Sequence, residues 1–86
     1  MHILVVEDEP QLAALLRRVL MAERHVVDVA LEGSAGLDLA SSGTYDLVIL
    51  DLMLPGIDGQ EISRRMRGAG ISTPILMLTA RGAIED

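Results

Sequence analysis

The sequence predicts one α/β domain built on a doubly wound parallel sheet, and three observations carry that prediction. Four short apolar runs, residues 3–6, 26–30, 47–50 and 75–78, are separated by stretches with helical spacing. Three of those runs are apolar without interruption, the pattern of strands buried on both faces by covering helices. The resulting order, β-α-β-α-β-α-β, calls for parallel strands joined by right-handed crossovers. A chain of 86 residues has room for one such unit and a thin core.

Each element has its own justification. The first strand is Ile3-Leu4-Val5-Val6. The first helix opens at Pro10, where a missing N–H costs nothing, and Leu12, Leu15, Leu16, Val19 and Leu20 form one apolar stripe. Val26-Val27-Asp28-Val29 alternates more than the other runs and reads as an edge strand. A short second helix runs from about Ser34 to Ala40, with Leu37 and Ala40 on one face, and Ser41-Ser42-Gly43 ends it. The third strand, Leu47 to Leu50, leads through Pro55-Gly56, a tight turn, to a third helix from about Gly59 to Arg67. Asp58 reads as that helix's cap. Ile62 and Met66 point inward, while Glu61, Arg64 and Arg65 face water and Gly68-Ala69-Gly70 closes the helix. Pro74 opens the fourth strand, and the residues after Arg81 read as the start of another helix.

Composition removes several classes of function. The chain is 50% hydrophobic and 23% charged, which excludes a disordered segment. It has no cysteine, so disulfides, thiolate zinc sites and cysteine nucleophiles are excluded. Tyr45 is the lone aromatic, too little for a base-stacking platform. The net charge is -6 and every basic residue is an arginine; such a module repels phosphate backbones and attracts cations. No apolar stretch approaches the ~18 residues of a membrane span. The amino terminus runs straight into acid without a basic leader, which argues against a secretory signal.

Acidic residues gather where an open α/β sheet binds ligands, outside the carboxyl ends of its strands. Glu7-Asp8-Glu9 follows the first run, Asp51 the third and Thr79 the fourth. With those strands adjacent, Asp8, Asp51 and Thr79 share one rim. Taken singly, each has a plain reading: an acidic helix start, a strand ending in Asp, a helix cap. Together they point to a site. Crowded carboxylates repel one another, and a hard divalent cation such as Mg²⁺ relieves the repulsion while accepting a phosphate oxygen. An ionised Asp beside it can attack phosphorus. The backbone carbonyl of Met53 lies two residues past Asp51 and within reach of the same cation. His2 and His25 show no partnering pattern and read as neither ligands nor bases, and Pro55, Gly56 and Asp58 read as turn chemistry.

Three blocks carry a family resemblance: Ile3-Leu4-Val5-Val6-Glu7-Asp8-Glu9, Asp46 through Gly59 (Asp46-Leu47-Val48-Ile49-Leu50-Asp51-Leu52-Met53-Leu54-Pro55-Gly56-Ile57-Asp58-Gly59), and Thr73-Pro74-Ile75-Leu76-Met77-Leu78-Thr79-Ala80-Arg81. The chain resembles a receiver domain of bacterial two-component response regulators, in the subfamily whose receiver precedes a winged-helix DNA-binding domain. The resemblance implies a flavodoxin-like sheet of order 2-1-3-4, with the fifth strand and last helix of the family missing. It implies Asp51 as phosphoacceptor, Glu7, Asp8, Asp51 and the Met53 carbonyl as Mg²⁺ ligands, Thr79 as switch hydroxyl and Ala80 as the small residue beside the phosphoryl group. It further implies a cytoplasmic module that is a phosphoacceptor and not an enzyme, a sensor histidine kinase as donor, and transcriptional control by the parent protein.

The family's phosphate-contacting lysine has no counterpart here, since the chain contains no lysine. Residues 1–86 are therefore expected to form a receiver incomplete at its carboxyl end and without a DNA-binding domain, so that this segment alone binds no DNA. An open edge on the fourth strand and an uncovered first helix predict self-association, by strand exchange in one version. Two enzyme classes fit less well. A haloacid-dehalogenase-like phosphatase needs a second Asp where Met53 stands, and a P-loop NTPase needs a Gly-rich loop ending in lysine. A receiver-like scaffold that only mediates protein contacts is the remaining alternative.

Overall fold

The structure, a computed structural model, describes residues 1–78 and the pair 84–85. Its elements are β1 (His2–Val6), α1 (Pro10–Ala22), β2 (Val26–Ala30), α2 (Gly33–Ser42), β3 (Leu47–Asp51), α3 (Gly59–Gly68), β4 (Ile75–Leu78) and β5 (Ile84–Glu85). The sheet order is β2-β1-β3-β4-β5. The first four strands are parallel, in the expected order and with β2 at one edge.

Alternate residues of β1 feed two different cores. Leu4 and Val6 join Val48, Leu50 and Ile75 beneath α2 and α3, in a cluster with Ala40, Ile62 and Met66. Ile3 and Val5 join Val27 and Ile49 on the opposite face, against Leu16 and Leu20 of α1. Burial on both faces explains the unbroken apolar runs. Ile62 and Met66 are fully buried, and each side chain removed from water in this way is worth roughly 1.5–3 kcal/mol.

Along α1, Ala13 is buried and Leu16 and Leu20 are partly buried, while Leu12, Leu15 and Val19 are 40%, 45% and 54% exposed. One helix on a sheet face covers only the arc in contact with the strands, and the stripe is wider than that arc. Two expectations are corrected. First, Ile84–Glu85 forms a strand and does not open a helix, pairing antiparallel with β4 through Met77↔Glu85 and Leu78↔Ile84. The edge expected to be open is thus partly paired, because unsatisfied strand N–H and C=O groups accept any short extended segment within reach.

The second correction concerns His2, which is well partnered. Its Nε2 lies 2.9 Å from Asp28 Oδ2 and its Nδ1 lies 3.0 Å from the Thr44 carbonyl oxygen. The Tyr45 hydroxyl donates to the same Asp28 oxygen at 2.8 Å. These bonds hold the Asp28 carboxyl below its ordinary value, the Tyr45 bond foremost, and push the Tyr45 hydroxyl, through burial and the Asp28 bond, up to about 12. The cluster ties β1, β2 and the start of β3 together at the amino end of the sheet, opposite the acidic rim. His25 Nδ1 lies 3.0 Å from the amino terminus. Among the described residues no helix is long and apolar enough to cross a membrane.

Candidate functional site

Strand register builds the site. β1 and β3 are neighbours with Val6 opposite Leu50, so Glu7 and Asp51 emerge side by side at the carboxyl rim. Glu7 N–H still donates to the Ala30 carbonyl at 3.0 Å, extending the β1–β2 ladder by one bond. On the other side Asp51 pairs with Leu78, and Leu52 N–H donates to the Leu78 carbonyl at 2.8 Å.

The carboxylates converge. Glu7, Asp8 and Asp51 each present an oxygen within 4.8 Å of those of the other two. Glu7 is buried at 4% exposure, Asp51 is half-buried and Asp8 is exposed. Glu7 Oε2 accepts from the Glu9 N–H at 2.9 Å, and Glu9 Oε1 accepts from the Gln11 N–H at 3.0 Å, capping α1. The acidic run therefore serves as helix start and rim at once. Burial pushes the Glu7 carboxyl above its ordinary value of 4.5, and the charges of Asp51 and Asp8 add to that push against the Glu9 hydrogen bond.

The loop after Asp51 folds back on it. Met53 N–H donates to Asp51 Oδ1 at 3.0 Å, and the Met53 side chain is 69% exposed. Gly56 has φ 77, the left-handed conformation that a Pro-Gly turn requires. Asp58 Oδ1 accepts from the Glu61 N–H at 2.8 Å, the anticipated cap of α3. Thr79 and Ala80 lie outside the described residues. The Glu9 cap and the Met53–Asp51 hydrogen bond were missed in the sequence. The signal for the first was an acid two positions ahead of a helical Gln11.

The three converging carboxyls, one of them buried, offer hard oxygen atoms of the type that small divalent cations take. Residues 3–86 match the family described as "Response regulator receiver domain". The chain belongs to this family. Receiver domains are the phosphoryl-accepting modules of two-component signalling. This receiver domain is 53% identical over 85 residues to the transcriptional regulatory protein TcrA of Mycobacterium tuberculosis, covering 99% of the chain and 34% of the relative. It is 47% identical to the transcriptional regulatory protein CusR of Escherichia coli, covering 99% and 37%. It thus spans about a third of the length of these curated relatives. Among solved structures it is similar to response regulator TrrA from Thermotoga maritima in complex with Mg²⁺-BeF, at 43% identity and TM-score 0.87, covering 93% of this chain and 70% of that one.

Proposed function

We propose that this receiver domain takes a phosphoryl group on Asp51, in a Mg²⁺-dependent transfer from a phosphohistidine on a sensor histidine kinase. The observation that carries the reading is the convergence of the Glu7, Asp8 and Asp51 oxygens at one rim. The Asp51 carboxylate attacks the donor phosphorus, the P–N bond breaks with its electron pair leaving on the donor nitrogen, and an acyl phosphate remains on Asp51. The Met53 N–H on Oδ1 orients the nucleophile, and Oδ2 is the attacking oxygen on this reading. Glu7, Asp8 and Asp51, with the Met53 carbonyl, would hold the cation, which neutralises charge on the transferring group when bound. The TrrA complex, with Mg²⁺ and BeF, supports this assignment by similarity. Thr79 as switch hydroxyl and Ala80 as the small neighbour rest on the family resemblance. On this reading residues 1–86 act as a cytoplasmic phosphoacceptor and not as a turnover enzyme. The names of its relatives, transcriptional regulatory proteins, support a role for the parent protein in transcriptional control, and a carboxyl-terminal DNA-binding domain rests on the family resemblance.

Incubation with Mg²⁺ and acetyl phosphate, followed by intact-mass measurement, tests this. The native chain is expected to gain one phosphoryl group and Asp51→Asn none. An unmodified native chain, or equal modification of both proteins, contradicts the reading.

A further inference from the structure

The loop that leaves Asp51 returns to its own origin, and Gly59 is where it closes. Gly59 is buried, begins α3, and donates its N–H to the Leu52 carbonyl at 3.2 Å. A Cβ at this position would stand 2.5 Å from the Asp51 carbonyl oxygen, 2.9 Å from Leu52 Cα and 3.1 Å from the Asp51 carbonyl carbon. All three are backbone atoms, so no change of rotamer relieves the contact.

Neither side of the contact is free to retreat. The Leu52 N–H is held by the Leu78 carbonyl, which fixes the peptide to β4. Helix α3 is held by its Asp58 cap and by Ile62 and Met66, which sit in the core at 1% and 0% exposure. Any side chain at residue 59 therefore forces a shift at this contact, one side of which is the Asp51–Leu52 peptide that carries the Asp51 carboxylate and leads to the Met53 N–H bonded to it.

We propose that Gly59 is a positioning residue for phosphoryl transfer: its missing side chain lets the first turn of α3 seat directly on the Asp51–Leu52 backbone and so sets where the Asp51 carboxylate stands relative to Glu7 and Asp8. This rests on the reading of Asp51 as acceptor. Spacing alone shows Gly59 only as the start of a helix.

The test compares Gly59→Ala with Gly43→Ala. A Cβ at Gly43 would also be crowded, 2.7 Å from the Tyr45 ring and 3.0 Å from the Leu39 carbonyl, but at the amino end of the sheet. Both variants are expected to melt at lower temperature. At a temperature where both remain folded, Gly59→Ala loses exchange protection and the native chemical shift of the Met53 amide. It binds Mg²⁺ more weakly and takes phosphoryl from acetyl phosphate about tenfold to a hundredfold more slowly, the scale of a misplacement near 1 Å. Gly43→Ala keeps all of these. Native Met53 protection and Mg²⁺ affinity in Gly59→Ala, or equal losses in Gly43→Ala, overturn the proposal. Should Gly59→Ala fail to fold, Asp58→Ala loosens the same seat without adding atoms. Met53 protection and Mg²⁺ affinity are then expected to fall together, and native values for both overturn it. If the native chain takes no phosphoryl group, the acceptor reading fails, while the Met53 amide still decides the role of Gly59.

Discussion

Glu7 is the side chain on which folding and chemistry make opposite demands. It is almost fully buried beside Asp8 and Asp51, and both burial and its neighbours' charges oppose its ionisation. A carboxyl whose folded-state value is raised stabilises the native state below its unfolded value, here 4.5. That contribution is lost as pH rises through the folded-state value. Glu7→Gln keeps an acceptor for the Glu9 N–H but removes the charge. Without divalent cation at neutral pH, Glu7→Gln is expected to be more stable than the native chain by on the order of 1 kcal/mol, a rise of about 4–8 °C in Tm. The advantage should shrink to nothing below the ordinary glutamate value. With saturating Mg²⁺ the order should reverse, because a cation that binds only the folded state stabilises in proportion to its affinity. Thermal melts across pH, with and without Mg²⁺, check this. A Glu7→Gln protein less stable than native in chelator would show that the carboxylate is not under strain. The rim itself was legible in the sequence, because a strand that ends its apolar run in an acid declares which end of the sheet carries charge. What the sequence could not give was the depth of Glu7, which depends on the β1–β2 ladder continuing through its N–H.

Two helices of this fold end with the same backbone motif but different residues at its tight point. After α3, Gly70 has φ 82, its N–H donates to Arg67 and that of Ile71 to Met66. After α1, Arg24 has φ 66, its N–H donates to Met21 and that of His25 to Leu20. Both are Schellman ends, and the left-handed residue costs little as glycine and more as anything with a Cβ. Arg24→Gly is expected to stabilise by roughly 0.5 kcal/mol, net of the unfolded-chain entropy and the modest dipole interaction that the arginine gives up. Gly70→Ala should destabilise by about 1 kcal/mol. Urea unfolding of the two variants measures both, and a destabilised Arg24→Gly would assign the arginine side chain a role that outweighs backbone strain. Gly68-Ala69-Gly70 announced the α3 end in the sequence, whereas nothing announced the end after Arg24. The same limit hid β5 and the His2–Asp28–Tyr45 cluster. A two-residue strand has no periodicity, and polar contacts that span 26 and 17 residues leave no local pattern.

The two faces of the sheet are not equally covered. Among the described residues, one carries α2 and α3 over the larger core and the other carries α1 alone, with Leu47, Leu76 and Leu78 only partly buried beside it. Leu12, Leu15 and Val19 extend that apolar surface outward along α1. A surface of this kind on a small domain favours a partner that removes it from water. A second copy offers the same surface in a two-fold arrangement, the commonest closed symmetry. Strand exchange has less support than this face-to-face association, because β5 already occupies part of the β4 edge. The net charge of -6 opposes association of any kind at low salt. Sedimentation velocity is therefore expected to show a concentration-dependent dimer that strengthens as salt screens the repulsion. Leu15→Glu, which places a charge at the centre of the exposed stripe, should return the protein to monomer with its fold intact. A native chain that stays monomeric at high concentration and high salt would mean that the uncovered face is too small or too curved to pair with itself. The apolar stripe of α1 would then be tolerated as ordinary surface.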